Sequence, residues 1–507
     1  MRSYKPLCLV LALFLTACGG ASSSEKKIVP VPVPIPVPVL TGFSYLVSEN
    51  PDLSEDIVLN INGAVISGRV TTNVAINQLV ASFEHNGSQV TVGNVTQVSN
   101  TTANDFTDFV TYTVNASDGQ QTSYQVDLTK FTGLPIIYLS TDGLAPIDSK
   151  DDYVTGNVSV DGGRNYTSSQ SIPMEIRGRG NSTWFTHPKK PFQMKLNDKS
   201  EMLDMPEDKK WLFLAEYSDK TMLRNTIAFE MGHISSLDWT PKSEFAEVYI
   251  NDQYNGTYNI TEKVEEGDNR LLLGDTGYLL EIDQLDRLDA DDVYFYTNNF
   301  LVNIKEPDVV SDSSEHVYIT DLVNRFENAL FGPNYQTTAY GYTRYIDIDS
   351  FIDWYLISEI TKNVDSKFFS SIYFNVIPGE KIKMGPLWDF DLSFGNVDYA
   401  DSRYAEGFWV KDNPWFNRLF MDPAFVEKVK VRFDYFRNNQ NLILDKIDTY
   451  AEQLKWAQRE NDQKWQTLGM YVWPNPIVLD TYEEEVVHLK SWYNRRMDWL
   501  ETALNNL

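Results

Sequence analysis

The apolar residues of this chain change their spacing part-way along, and that change constrains the fold more than any other feature. Up to about residue 343 they fall in short runs or alternate with polar residues, as in "DIVLNINGAVISGRV", "DFVTYTVNASDGQQTSYQVDLTK" and "EFAEVYINDQYNGTYNITEKVEE". Alternation puts every second side chain on one face of a strand, and the intervening Asn-Gly and Asp-Gly pairs suit tight hairpin turns. Beyond residue 343 the spacing becomes three or four. "IDSFIDWYLISEITKNVD" brings Phe351, Trp354, Tyr355 and Ile357 near one helical face. "DPAFVEKVKVRFDYFRNNQNLILDKIDTYAEQLKWAQREND" and "TYEEEVVHLKSWYNRRMDWLETALNN" read as long amphipathic helices. Strands grouped first and helices afterwards predict an α+β arrangement, not alternating βαβ units.

Composition shifts divide the chain further. Residues 1–17 read as a signal peptide, with Arg2 and Lys5 ahead of an apolar run from Leu7 to Leu15 that is too short to span a bilayer. The segment ends "LTAC", similar to a bacterial lipobox, so Cys18 is expected to carry lipid and anchor the protein in the cell envelope of a bacterium. Gly19 after the cysteine favours the outer membrane. A plain signal peptide with an incidental cysteine is the alternative. Only Cys8 and Cys18 occur, so cleavage leaves no partner for a disulfide. Residues 18–40 form a flexible and then proline-rich stalk: "VPVPVPIPVPVL" cannot enter helix or sheet and favours an extended polyproline rod. Residues 41–131 predict an all-β sandwich that resembles immunoglobulin-like or cadherin-like modules. It serves as a spacer, or binds a protein or glycan ligand. The second domain is expected over residues 135–507, a β-rich lobe followed by a helical lobe.

The net charge of −28 argues against nucleic acid and anionic lipid surfaces as partners. It also makes the acid-free stretch "IRGRGNSTWFTHPKKPFQMK", residues 176–195, conspicuous. Arg177, Arg179, Lys189, Lys190 and Lys195 offer forked and point-charge donors suited to phosphate. Gly178 and Gly180 permit close backbone approach. The plainer reading is that these charges offset neighbouring acids. Neither a P-loop nor a dinucleotide fingerprint is present.

A second group is "KMGPLWDFDLSFGN", residues 383–396. On a strand, Asp389 and Asp391 would share a face among Trp388, Phe390 and Phe394. Two carboxylates buried together call for a cation. Mg²⁺ (or Mn²⁺), which takes one or two carboxylates plus substrate phosphates, is the simplest answer. Two acids exposed at a strand end is the alternative. The five histidines are scattered without an HExxH, which argues against zinc, and no GxSxG occurs.

Taken in order, "IRGRGNSTW…KKPFQMKL", "DKKWLFLAEYSDKTMLRNTIAFEM", "EVYINDQYNGTYNITEKVE", "GYLLEID" and "PLWDFDLSFG" resemble the CotH family of spore-coat-type atypical kinases. The resemblance implies an atypical protein-kinase-like domain that uses ATP and Mg²⁺ to phosphorylate Ser or Thr of a protein substrate. It places the catalytic-loop Asp at Asp365 and the metal-binding Asp at Asp389, with Asp391 as a second carboxylate. Lys195 is the first choice for the phosphate-binding cation, ahead of Arg179 and Lys190, and Glu262 is its expected ion-pair partner. Kinases carry a metal-binding Asn five residues after the catalytic Asp. Here that position is Ser370. Two other readings remain: a carbohydrate-active hydrolase, whose retaining form needs carboxyls about 5–5.5 Å apart across a bond, and a non-catalytic adhesin or scaffold, favoured by the stalk, the sandwich and the scarcity of ATP outside the cytoplasm.

Overall fold

The computed structural model describes residues 37–507 apart from Ser54, Asn73 and Arg164. The expected signal peptide, Cys18 and most of the stalk lie outside the described residues. No helix among the described residues is long and apolar enough to cross a membrane. The chain divides into two units, one made of residues up to Gly68 together with Ala75–Leu128, the other of Arg69–Val74 together with Thr129–Leu507.

The first unit is built from strands. A three-stranded sheet pairs Leu40–Tyr45 with Ile57–Val58 on one side and Ser82–His85 on the other, and a six-stranded sheet has the hairpin Val110–Asn115/Gln121–Phe131 at its centre. That hairpin turns at Asp118-Gly119, where Gly119 has φ +91°. Val110, Tyr112 and Val114 point inward by simple alternation. Tyr112 meets Phe43 edge-on at 5.0 Å and Phe83 at 5.7 Å, so the two sheets share an aromatic core.

The second unit mixes strands and helices. Seven strands close a barrel in the order Ile136–Thr141, Val154–Asp161, Ser169–Gly178, Phe192–Met202, Met205–Leu214, Gln253–Glu262, Ser243–Ile250; the last pairs in parallel with the first. The expected hairpin over 244–266 is present, turning at Asn251 and Asp252 with φ 49° and 61°. Asn and Asp tolerate this left-handed region better than most residues. Met174, Ile176, Met194, Leu196, Trp211, Phe213, Tyr258 and Ile260 fill the barrel.

The remainder forms a second core around a five-stranded sheet in the order Val293–Tyr296, Leu301–Glu306, Tyr278–Ile282, Ile372–Val376, Lys383–Met384. Its helices, with a short one on the barrel, are α1 (Ser182–Thr186), α2 (Arg224–His233), α3 (Ser314–Phe331), α4 (Ile348–Thr361), α5 (Pro414–Leu419), α6 (Pro423–Asn438), α7 (Gln440–Gln453), α8 (Ala457–Trp465) and α9 (Tyr482–Asn505). Three expectations change here. The division near residue 343 is not a boundary, because strands from both sides of it share this sheet. The segment 422–462 is three helices, not one. Helix α4 has no polar face: every residue from Ser350 to Thr361 is buried, since sheet and helices surround it. Helix α9 starts where expected, capped by Thr481, which accepts from the Glu484 N–H while Glu484 accepts from the Thr481 N–H.

Candidate active site

The strand Ser169–Gly178 alternates Met174, Ile176 and Gly178 into the barrel and leaves Arg177 on the other face. Gly178 is required by close approach, since a Cβ there would stand 2.3 Å from the Trp184 ring of α1. Gly180 turns the chain with φ +86°. Arg179, between the two, extends over the Trp388 ring at 5.3 Å, and Arg177 lies over Tyr153 at 4.8 Å.

The aspartate loop approaches from the second core. It is not the strand expected from sequence. The strand ends at Met384, and Asp389 sits at φ +65°. A non-glycine residue in this region is strained by roughly 1–3 kcal/mol and persists only where its surroundings hold it. Three asparagines do so. Asn363 Nδ2 donates to the Asp389 carbonyl at 2.9 Å, Asn225 Oδ1 accepts the Phe390 N–H at 2.7 Å, and Asn396 Nδ2 donates to the Asp391 carbonyl at 3.0 Å. Ser371 Oγ donates to Asp389 Oδ2 at 3.3 Å. Asp365 occupies the short turn Val364–Lys367 after α4, tied to the loop by the Val364 N–H donating to Leu392 O at 3.3 Å.

Asp365, Asp389 and Asp391 line one cleft of about 370 Å³ with Arg177, Arg179, Arg287, Lys305, Glu281, Asp283 and Tyr373. A recess of about 40 Å³ continues from it past Lys189, Glu216 and Asn225. Burial pushes the Asp365 carboxyl up to about 7; the charge of Asp389 adds to the rise, while Arg287 and the Ser370 hydroxyl oppose it. Asp391 is pushed well above the carboxylate range, by burial first and then by Asp389, Glu216 and Asp365. Among the described residues no side chain donates a hydrogen bond to the Asp391 carboxylate, and Arg179 has no ion-pair partner within 4.0 Å. Burial lowers the pKa of Arg179, against the pull of Asp389, Tyr373, Asp391 and Glu281. A wider surface groove of about 540 Å³ beside Val431 and Tyr435 differs in kind: its Lys428 and Arg432 are paired with Asp349 and Asp353.

Three expected residues stand elsewhere. Lys195 alternates with the inward Met194 and Leu196, so it faces out of the barrel, with its side chain 47% exposed and Glu175 across the strand at 4.0 Å. Lys190 donates to the Trp184 carbonyl at 2.5 Å. Glu262 does not meet a cleft cation: it accepts from Arg270 Nη1 at 2.8 Å and from the Lys242 N–H at 2.8 Å. Asp219 and Arg224 form a buried ion pair. Residues missed from sequence are Arg287, which donates to Ser370 Oγ, Lys305, and Glu281, pushed up to about 7 by burial. One signal was available for the last: Glu281 and Asp283 in "GYLLEID" repeat the two-residue spacing of Asp389 and Asp391.

No group of three or more His, Cys, Asp or Glu converges as a ready cation cage among the described residues.

The second unit is mixed α/β, and its cleft sets Arg179 against several buried carboxylates. The chain belongs to the CotH kinase protein family, whose model matches residues 176–500, well over half its length. No curated protein matches the chain. Among solved structures, a protein of Bacteroides thetaiotaomicron VPI-5482, described provisionally as a glycoside hydrolase, is 11% identical over 57% of this chain and 88% of its own, with a TM-score of 0.17. At that score the likeness carries no argument.

Proposed function

We propose that this CotH-family chain is an atypical kinase that transfers the terminal phosphate of ATP to Ser or Thr of a protein substrate. The observation that carries the reading is the cleft in which Arg179, without an ion-pair partner among the described residues, faces Asp365, Asp389 and Asp391. Arg179 and Arg177 bind the phosphates, with Arg287 and Lys305 taking the place first given to Lys195. Asp389 and Asp391 would hold Mg²⁺ (or Mn²⁺), which would neutralise charge on the transferring phosphate. The surplus of carboxylates around Asp391 fits such a cation, because it leaves negative charge that the protein itself does not balance.

Asp365 accepts the proton of the acceptor hydroxyl. A carboxyl near 7 is matched to that work at neutral pH, since it exchanges protons without being a strong acid. Ser370, in the position of the usual Asn, bonds to Arg287 and lies beside Asp365, so it positions these two groups and is no metal ligand in this reading. Lipid anchoring through Cys18 and an outer-membrane location belong to the same proposal; Cys18→Ser should release the chain from the membrane fraction, and unchanged fractionation would remove the anchor.

The test is phosphate transfer to a generic Ser/Thr protein beside nucleotide titration by calorimetry. Asp365→Ala should cut turnover far more than nucleotide affinity, because the residue acts on the acceptor. Equal transfer by parent and variant would remove Asp365 from this role. A parent that neither binds nucleotide nor transfers phosphate would leave the adhesin reading.

A further inference from the structure

Lys189 is almost wholly enclosed, and it lies where the barrel meets helix α8. Its Nζ donates to the Thr257 carbonyl and, at 2.9 Å, to Oδ1 of Asn461 on α8. The same Oδ1 accepts the Thr257 N–H at 3.2 Å. Thr257 Oγ1 in turn lies 3.3 Å from Glu247 Oε2, so amine, carboxamide and buried carboxyl converge on one residue. The strand makes room for the meeting: at Gly256, with φ +103°, a Cβ would stand 2.6 Å from Asn461 Oδ1 and 3.2 Å from Lys189 Cε. The Tyr258 ring covers the ammonium side at 4.5 Å.

We propose that Lys189 and Asn461 join in an intramolecular isopeptide bond, an amide between Lys189 Nζ and Asn461 Cγ that ties the barrel to α8.

The chemistry is complete within these groups. The unprotonated Lys189 amine attacks Asn461 Cγ, and the developing charge on Oδ1 is met by the Thr257 N–H. The new C–N bond forms, the Cγ–Nδ2 bond breaks, and the amine's proton leaves with Nδ2 as ammonia, Glu247 carrying it between the two nitrogens. No oxidant or cofactor enters. Amines attack carboxamides very slowly in water, and fixed contact in a closed site removes much of that barrier. Burial supplies the free amine by drawing the Lys189 pKa down to about 7, against the charges of Glu247 and Glu216. It also pushes Glu247 up to about 7, so that carboxyl can both take and return a proton.

The test is peptide mass mapping of the purified full chain, with no nucleotide or substrate needed. The expected result is a branched species joining the Lys189 and Asn461 peptides and lighter than their sum by one ammonia, in most of the protein. Lys189→Met and Asn461→Leu should each yield only the separate peptides. Glu247→Gln should leave most chains unjoined, and joining at the parent level in that variant would remove Glu247 as the proton carrier. Separate, full-mass peptides in the folded parent would mean an ordinary hydrogen bond and would overturn the proposal. This outcome is independent of whether the chain is a kinase.

Discussion

Two buried charged regions of the second unit behave in opposite ways. Around Arg496 every charge is answered. Its Nε donates to the Glu359 carbonyl, its Nη1 to the carbonyls of Ala405 and Gly407, and its Nη2 to Glu359 Oε1 at 2.6 Å. Glu359 also accepts the backbone N–H groups of Trp409, Val410 and Lys411. In the cleft, among the described residues, Arg179 has no ion-pair partner and Asp391 no side-chain donor, and burial and neighbouring carboxylates raise the pKa values of Asp365 and Asp391. Burying a charge is expensive unless it is paired. The first region meets that cost within the fold; the second does not among the described residues, and the proposed nucleotide and cation would meet it. Burial alone therefore does not distinguish the two regions, but the completeness of their pairing does.

The largest effect that would break this contrast is on stability. Arg496→Met leaves Glu359 buried without its cation and should cost about 3–5 kcal/mol in denaturant unfolding. A loss under 1 kcal/mol would mean that the paired region is not holding the fold. Next in size, Arg179→Ala should weaken nucleotide binding about tenfold or more, equivalent to roughly 1.5–3 kcal/mol. It should shift unfolding far less than Arg496→Met, and the reverse pattern would make Arg179 structural.

A smaller effect is expected with pH. The folded-state pKa of Asp365 is raised to about 7, above its unfolded value, so the folded protein holds the extra proton between these limits. The stability from this group is then fully present below about pH 4 and is lost as pH rises through 7. Unfolding of the nucleotide-free chain between pH 5 and 8 should show that fall, and Asp365→Asn should flatten it; an unchanged slope in the variant would assign the fall to other groups. Smallest of all, Lys195→Ala should alter neither nucleotide affinity nor stability measurably, since its ion pair with Glu175 is exposed. A tenfold loss of affinity would return Lys195 to the cleft.

What was legible in the sequence was local. The hairpin over 244–266, the "TYEEE" start of α9 and the acid-free stretch around Arg179 each announce themselves within a few residues. Asp365, Asp389 and Asp391 could also be grouped, through the family resemblance and the odd company the aspartate pair keeps. What was not legible depended on parity and on distance. Lys195 was misplaced because one step along a strand reverses the face, and only the register with Glu175 decides it. The aspartate loop was read as a strand because its left-handed backbone is imposed by Asn225, Asn363 and Asn396, two of them outside the segment. The sheet joining 278–306 to 372–384, and with it the placing of Arg287 and Lys305 in the cleft, comes from pairings that no local pattern encodes.

The measurement that tests the central claim most directly is calorimetric titration of ATP into the full chain, with and without Mg²⁺, for the parent and for Asp389→Asn. Binding that requires Mg²⁺ in the parent and disappears in Asp389→Asn, while the variant melts at or slightly above the parent's temperature, is the result expected of charges left open for a ligand. Unchanged binding in Asp389→Asn together with a large fall in its melting temperature would contradict it, and would place the cleft carboxylates with Glu359 as part of the scaffold.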